Sequence, residues 1–324
     1  MVHNRDVDDT APLLARLLRA TPLVVAVGDD VGAWWRHVRS SEPDLVSPFD
    51  RAALAGFRAD RLAGAFAGGY QGALRALAPG RLADDAIASF CVSEPGGNSP
   101  RAIEASLAPR ETGGFVLNGQ KRWSTMAPVA DVLLVAAHQG LDAGGRKRVA
   151  LAALDAGSPG VTIRRMPPTK FVPEVPHAEL ELRDVVVGPD AVLPGDGYTG
   201  YVKRFRTVED IYIHAGVLGY FLGAARRFAF PRTVVERTVA AIVAARALAR
   251  LDADAAETHV ALAGTLARDA NLLDHADAHW EKADEDERAR WRRDRQGFGS
   301  VAGALREARR VRAWERLAAP DGGG

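Results

Sequence analysis

The stretch Phe90-Cys91-Val92-Ser93-Glu94-Pro95-Gly96-Gly97-Asn98-Ser99 decides how this 324-residue chain is read. A short apolar run enters a Glu-Pro-Gly-Gly turn carrying small hydroxyl side chains. Further on, Asn118-Gly119-Gln120-Lys121-Arg122-Trp123-Ser124-Thr125 delivers a lone Trp and a Thr at a strand end. Asn118-Gly119 between apolar runs is a hairpin signal. Either segment alone is weak; their order and spacing together are specific.

Working outward, the chain reads as helical, then β, then helical. From Ala11 to about Leu82 apolar residues recur at helical spacing, as in Leu13, Leu14, Leu17 and Leu18. Asp50 or Ser47 is placed to cap the helix that carries Leu54 and Phe57. From Asp85 to Gly188 the pattern changes to short β-type runs: Ile87 to Val92, Gly114 to Leu117, Val132 to Ala137, Val149 to Leu154, Val161 to Ile163 and Ala178 to Val187. Turns rich in Gly, Pro, Asn and Asp separate them, which suggests a small antiparallel barrel or sandwich. Helices return after Gly200, the best candidates being Glu209 to Phe228, Val234 to Leu251, Ala255 to Lys282 and Ser300 to Leu317. The fold class is therefore α+β: an N-terminal helical domain (1–84), a middle antiparallel β-barrel or sandwich (85–190) and a C-terminal helical bundle (191–324). The closing Asp321-Gly-Gly-Gly324 reads as a disordered tail.

Composition excludes several function classes. With 42 basic against 41 acidic residues there is no global pull toward nucleic acid or anionic membrane. A single cysteine, Cys91, rules out an intrachain disulfide and leaves no Cys-rich zinc site, so no metal is expected. The start of the chain has no apolar stretch of signal-peptide type, and no run of about 18 apolar residues occurs. A cytoplasmic protein with no membrane span is expected. Cys91 reads as a buried filler, since no His stands near it in a reactive arrangement. Asp284 to Gln296 pairs Asp284 with Arg288 and Asp286 with Arg290 at i, i+4, so a solvated helix is expected there rather than a nucleic-acid surface.

The two opening segments resemble the middle domain of the acyl-CoA dehydrogenase family, where they read roughly Thr-Glu-Pro-x-x-Gly-Ser and Asn-Gly-x-Lys-x-Trp-Ile-Thr. The resemblance continues through Glu179 to Gly188, similar to the strand closing that domain. It extends to His214-Ala-Gly-Val-Leu-Gly-Tyr220, similar to the Ala-Gly-rich start of the family's long C-terminal helix. It implies the family's fold, a bound FAD, and α,β-dehydrogenation of an acyl thioester carried by CoA or a carrier protein. It also implies an external electron acceptor and assembly into a homodimer or homotetramer.

Such a reaction removes an α-proton and a β-hydride. The hydride needs a flavin, and the proton needs a carboxylate whose pKa is raised in an apolar pocket. By resemblance Trp123 lies against the isoalloxazine, Thr125 donates near its N5, Val92 and Ser93 meet its pyrimidine edge, and Ser99 lies toward the substrate. Without the family pattern, Trp123 reads as a core residue of the sheet and Thr125 as an ordinary strand residue. One family branch carries its base just before the Ala-Gly-rich run, and Glu209 matches it, although Asp210 stands where that branch has Arg. The two acids also read as first-turn carboxylates favoured by the helix dipole. His214, one turn beyond Asp210, is spaced to pair with it and reads as structural.

Two family segments are missing. An Arg-x-x-Phe-Gly segment, which helps hold the flavin diphosphate, is replaced by Arg226-Arg-Phe-Ala-Phe-Pro-Arg-Thr233, with no Gly after Phe228. No Gly-Gly-x-Gly-Tyr segment follows, and Gly195 to Gly200 is no substitute. The alternative is therefore a flavin-free relative that binds thioesters or acts on them without redox chemistry.

Overall fold

The computed structural model describes residues 10–19, 21–97, 99–300 and 303–319. The first nine residues, Asn98 and the Asp321–Gly324 tail, all read above, lie outside them. Four helices come first: α1 (Ala11–Arg19), α2 (Val31–Ser40), α3 (Pro48–Arg58) and α4 (Leu62–Leu77). Asp30 caps α2, accepting from Gly32 N and Ala33 N at 2.9 Å each. Ser47 caps α3, its hydroxyl accepting from Asp50 N at 3.3 Å, with Pro48 at the first helical position. Asp50 is thus not the cap. It is buried and grips Arg246 with both oxygens, at 2.7 and 3.0 Å.

Seven strands follow: β1 (Ala88–Cys91), β2 (Ser106–Pro109), β3 (Phe115–Thr125), β4 (Val132–Leu141), β5 (Lys147–Asp155), β6 (Val161–Arg165) and β7 (His177–Val187). They form one curled sheet in the order β1-β4-β2-β3-β7-β6, with β5 also on β4. Antiparallel pairing dominates, and β1 adds a parallel pair along β4, from Ala88↔Val132 to Cys91↔Val135. Leu133 to Ala137 of β4 are all buried, which is why that run shows no alternation. In β7, Ala178, Leu180 and Leu182 enter the core while Glu179 faces out, the period of two. Asn118-Gly119 is not a hairpin turn. It lies inside β3, where Gly119 takes φ +150° at a register shift and a Cβ would come 2.5 Å from Ala105 Cβ. A bulge uses the same glycine freedom a turn would; the turn between β2 and β3 instead closes through Arg110 N to Gly114 O at 3.0 Å.

Among the described residues five α-helices follow: α5 (Lys203–Arg227), α6 (Arg232–Leu248), α7 (Ala256–His275), α8 (Glu285–Ser300) and α9 (Gly303–Ala318). The chain divides into two compact units: one of sheet (Leu77–Thr169 and Pro173–Arg206) and one of helices (the chain up to Ala76, Lys170–Val172, and from Thr207 on). Within the helical unit, α5 meets α3 and α4 at backbone distance. A Cβ on Gly216 would stand 2.3 Å from Ala65 O, and one on Gly56 1.9 Å from Gly216 O. The solvated-helix reading of α8 holds for most of its residues and misses an inward stripe. Glu287, Trp291 and Asp294 (i, i+4, i+7) are buried, Trp291 stacks on Trp280 at 4.5 Å, and Asp294 accepts from Val172 N at 2.8 Å.

Candidate active site

The site on the sheet unit begins with a buried carboxylate. Glu94 and Gly97 exchange two backbone hydrogen bonds of 2.9 Å, which shapes the Glu-Pro-Gly-Gly turn. The Glu94 side chain accepts from Glu104 N at 2.9 Å, Ala105 N at 3.1 Å and Lys121 Nζ at 2.6 Å. Lys121 also donates to Val92 O at 3.2 Å, and its side chain has no exposed surface. Burial pulls the Lys121 ammonium below its ordinary range, and Glu94 works against that pull. This ion pair joins the two opening segments, and sequence reasoning gave neither residue a role. The signal was present: an acid and a lysine, one in each segment, standing where the family pattern also has Glu and Lys.

With the segments joined, their backbones meet. Arg122 N donates to Ser93 O at 3.0 Å, and Ser89 Oγ donates to Thr125 O at 2.8 Å. The chain leaving β1 therefore runs beside the end of β3, with Ser93 next to Arg122 and Ser89 next to Thr125. Between Lys121 and Ser124 the pairing with β7 slips, and Trp123 there takes φ 60°. A left-handed tryptophan costs roughly 1–2 kcal/mol relative to its ordinary conformation. The bulge turns the indole outward, leaving it 52% exposed with the Arg122 guanidinium 5.5 Å from its ring and His177 at its edge, 6.1 Å away. Trp123 is therefore no core residue. Burial holds His177 below the ordinary imidazole range, so it sits neutral beside the indole near neutrality.

The Ser93 and Thr125 side chains are half-buried, and neither hydroxyl has a hydrogen-bond partner among the described residues. Unfilled half-buried hydroxyls beside an exposed indole fit a flat, hydrogen-bonding ring such as isoalloxazine. Ser99 is exposed at the head of a short 3-10 turn and makes no side-chain cap. Cys91 is fully buried and burial raises its thiol pKa, the profile of a filler.

The residues expected on the long helix lie in the helical unit. Glu209 and Asp210 are both buried in α5. Asp210 does not pair with His214. Its carboxylate accepts from Arg306 Nη2 at 2.8 Å and Nε at 3.0 Å, and from Arg309. His214 instead meets Asp269 at 2.8 Å. Burial alone would push the Asp269 carboxyl up; hydrogen bonds from His214 and Arg268 outweigh it and hold the carboxyl low. The Arg226–Thr233 region makes internal contacts. Arg226 donates to Leu17 O and covers the Phe57 ring at 5.7 Å, while Arg227 pairs with Glu287 at 2.5 Å. Ala229, just after Phe228, takes φ 49°, the left-handed conformation that a glycine adopts without strain.

Residues 89–185 match the family model for the acyl-CoA dehydrogenase middle domain. Over that region the chain is similar to the acyl-CoA dehydrogenase family. A benzylmalonyl-CoA dehydrogenase of Aromatoleum aromaticum is 33% identical over 159 residues, 48% of this chain and 40% of that protein. The chain thus matches less than half the length of this relative. Butyryl-CoA dehydrogenase from Megasphaera elsdenii superposes with a TM-score of 0.64 over 95% of both chains, at 16% identity. The FAD complex of PigA superposes at 0.61 over 96% of this chain and 94% of that one, at 15% identity. These two structures share the fold of this chain.

Proposed function

We propose that the protein catalyses flavin-dependent α,β-dehydrogenation of an acyl thioester, bound to CoA or to a carrier protein. The observation that carries this reading is the outward turn of Trp123 at the β3 bulge, on the segment that hydrogen bonds join to Ser93 and that ends in Thr125. Val92, Ser93, Trp123 and Thr125 would hold FAD, whose ring, when bound, supplies the acceptor for the hydride leaving Cβ. Trp123 shields that ring from water, and the Thr125 hydroxyl donates to its polar edge. Glu209, a carboxylate buried on α5, takes the α-proton. Asp210 is unsuited to that task, since both its oxygens are engaged by guanidinium groups. Ser99 contacts the thioester. Relatives named as acyl-CoA dehydrogenases support the reaction class. Assembly as a homodimer or homotetramer and a cytoplasmic location belong to the same reading. No described helix is long and apolar enough to cross a membrane.

The engagement of Arg226 and Arg227 favours a second reading, a flavin-free protein that binds thioesters or acts on them without redox chemistry. One experiment separates the two. The protein is loaded with FAD and mixed anaerobically with a panel of acyl-CoA thioesters while flavin absorbance is followed. Dehydrogenation bleaches the flavin with at least one thioester, and Glu209→Gln keeps the flavin but abolishes the bleaching. Full bleaching in Glu209→Gln removes Glu209 from the mechanism. A protein that binds thioester but never retains flavin supports the second reading.

A further inference from the structure

The first turns of α5 present two buried faces, and they are held by different means. Thr207, Asp210 and His214 follow one another at i, i+3 and i+7 and so form one stripe. That stripe meets α7 and α9 through polar contacts. Thr207 Oγ1 lies 3.3 Å from His259 Nε2 and 3.5 Å from Arg309 Nη1, Asp210 takes both Arg306 and Arg309, and His214 takes Asp269. Successive helical side chains diverge by about 100°, so Glu209 belongs to another stripe, with Ile213 and Gly216 at i+4 and i+7. That second stripe runs along α4 at backbone distance: a Cβ on Gly69 would stand 2.5 Å from Ile213 Cα, and Gly216 abuts Ala65. Side-chain freedom at Ile213 and Gly216 is thus removed by close packing.

The geometry points to Asp210 as a positioning residue: gripped by Arg306 and Arg309, it fixes the rotation of the α5 turn that carries Glu209 and so sets where the Glu209 carboxylate is presented. This rests on Glu209 being the base proposed above. Asp210 can fill the role because its side chain is only 4% exposed and both its oxygens are taken, one by two nitrogens of Arg306 and the other by Arg309. Arg306 brings two nitrogens to one oxygen, and Arg309 holds the other oxygen while its second nitrogen reaches Thr207, whereas two ammonium groups would act as point charges and leave the carboxylate free to turn. The grip also explains how an Asp is accommodated beside the candidate base. The cations that face it come from α9, 96 and 99 residues further along the chain.

The test follows α-proton chemistry without relying on flavin reduction. Purified protein is incubated with butyryl-CoA in deuterated buffer, and loss of the Cα proton signal is followed by NMR across substrate concentrations. The abstracted proton leaves on Glu209, exchanges with solvent, and a deuteron returns to Cα, so no oxidant is consumed. Asp210→Asn and the Arg306→Ala/Arg309→Ala pair should slow exchange at saturation at least ten-fold while the half-saturating concentration moves less than two-fold. Arg309→Lys, which keeps the charge and loses the fork, should fall between them and wild type. It also serves as the readout should the other variants fail to fold. Exchange within two-fold of wild type in Arg309→Lys and in every other variant that folds overturns the positioning role, provided Glu209→Gln abolishes exchange. If Glu209→Gln exchanges as fast as wild type, the base assignment itself fails and the positioning role falls with it.

Discussion

The sheet unit and the helical unit each bury a carboxylate against cations, and they do so in contrasting ways. Glu94 is held within its own neighbourhood, by two backbone N–H groups 10 and 11 residues on and by Lys121, 27 residues on. Asp210 is held by two arginines of α9, 96 and 99 residues on. The first arrangement joins two sequence segments. The second fixes a helix turn from outside. The Lys121 side chain is fully buried, whereas Arg306 keeps 30% of its side-chain surface. A buried pair broken on one side leaves an uncompensated charge, while a guanidinium that keeps part of its surface can turn to water.

The largest effect should therefore come from Lys121→Met. It leaves the Glu94 charge buried with only its two N–H donors and should cost about 3–5 kcal/mol. Asp210→Ala should cost less, about 1–3 kcal/mol, because Arg306 can turn to solvent. Urea denaturation of both variants checks the order, and a larger loss for Asp210→Ala would reverse the comparison. Trp123→Gly sharpens it on the sheet side. Relieving the left-handed backbone should raise stability by about 1 kcal/mol while abolishing flavin retention, so the two readouts move in opposite directions. A destabilised Trp123→Gly variant would show that the indole serves packing.

How much of this was legible in the sequence follows the same contrast. The Phe90–Thr125 region could be read because its partners lie close in the chain, and two hydrogen bonds tie the end of β1 to the end of β3. Asn118-Gly119 misled because positive φ is the common requirement of a tight turn and of a bulge. The α8 helix misled because its i, i+4 charge pairs hid the inward stripe of Glu287, Trp291 and Asp294. Partners of Asp210 and His214 were out of reach, since Arg306, Arg309 and Asp269 lie 55 to 99 residues away and no local pattern marks them.

The smallest expected effect is a pH dependence shared by the two units. Burial depresses the pKa of His177 in the sheet unit and of His259 in the helical unit below the ordinary 6.5. A depressed imidazole pKa means the unfolded chain binds protons more readily, so stability falls as pH drops below about 6.5 and is recovered above it. His177→Gln should flatten part of this acid slope in thermal melts between pH 7 and pH 5. A slope unaltered in that variant would place the linkage elsewhere.

The most direct test of the central reading is the visible absorption spectrum of the purified protein, before and after incubation with excess FAD and desalting, measured beside Trp123→Gly. The account predicts flavin bands that survive desalting in the wild type and are lost in the variant. A wild type that stays colourless after incubation, or a variant that retains flavin equally well, would contradict it.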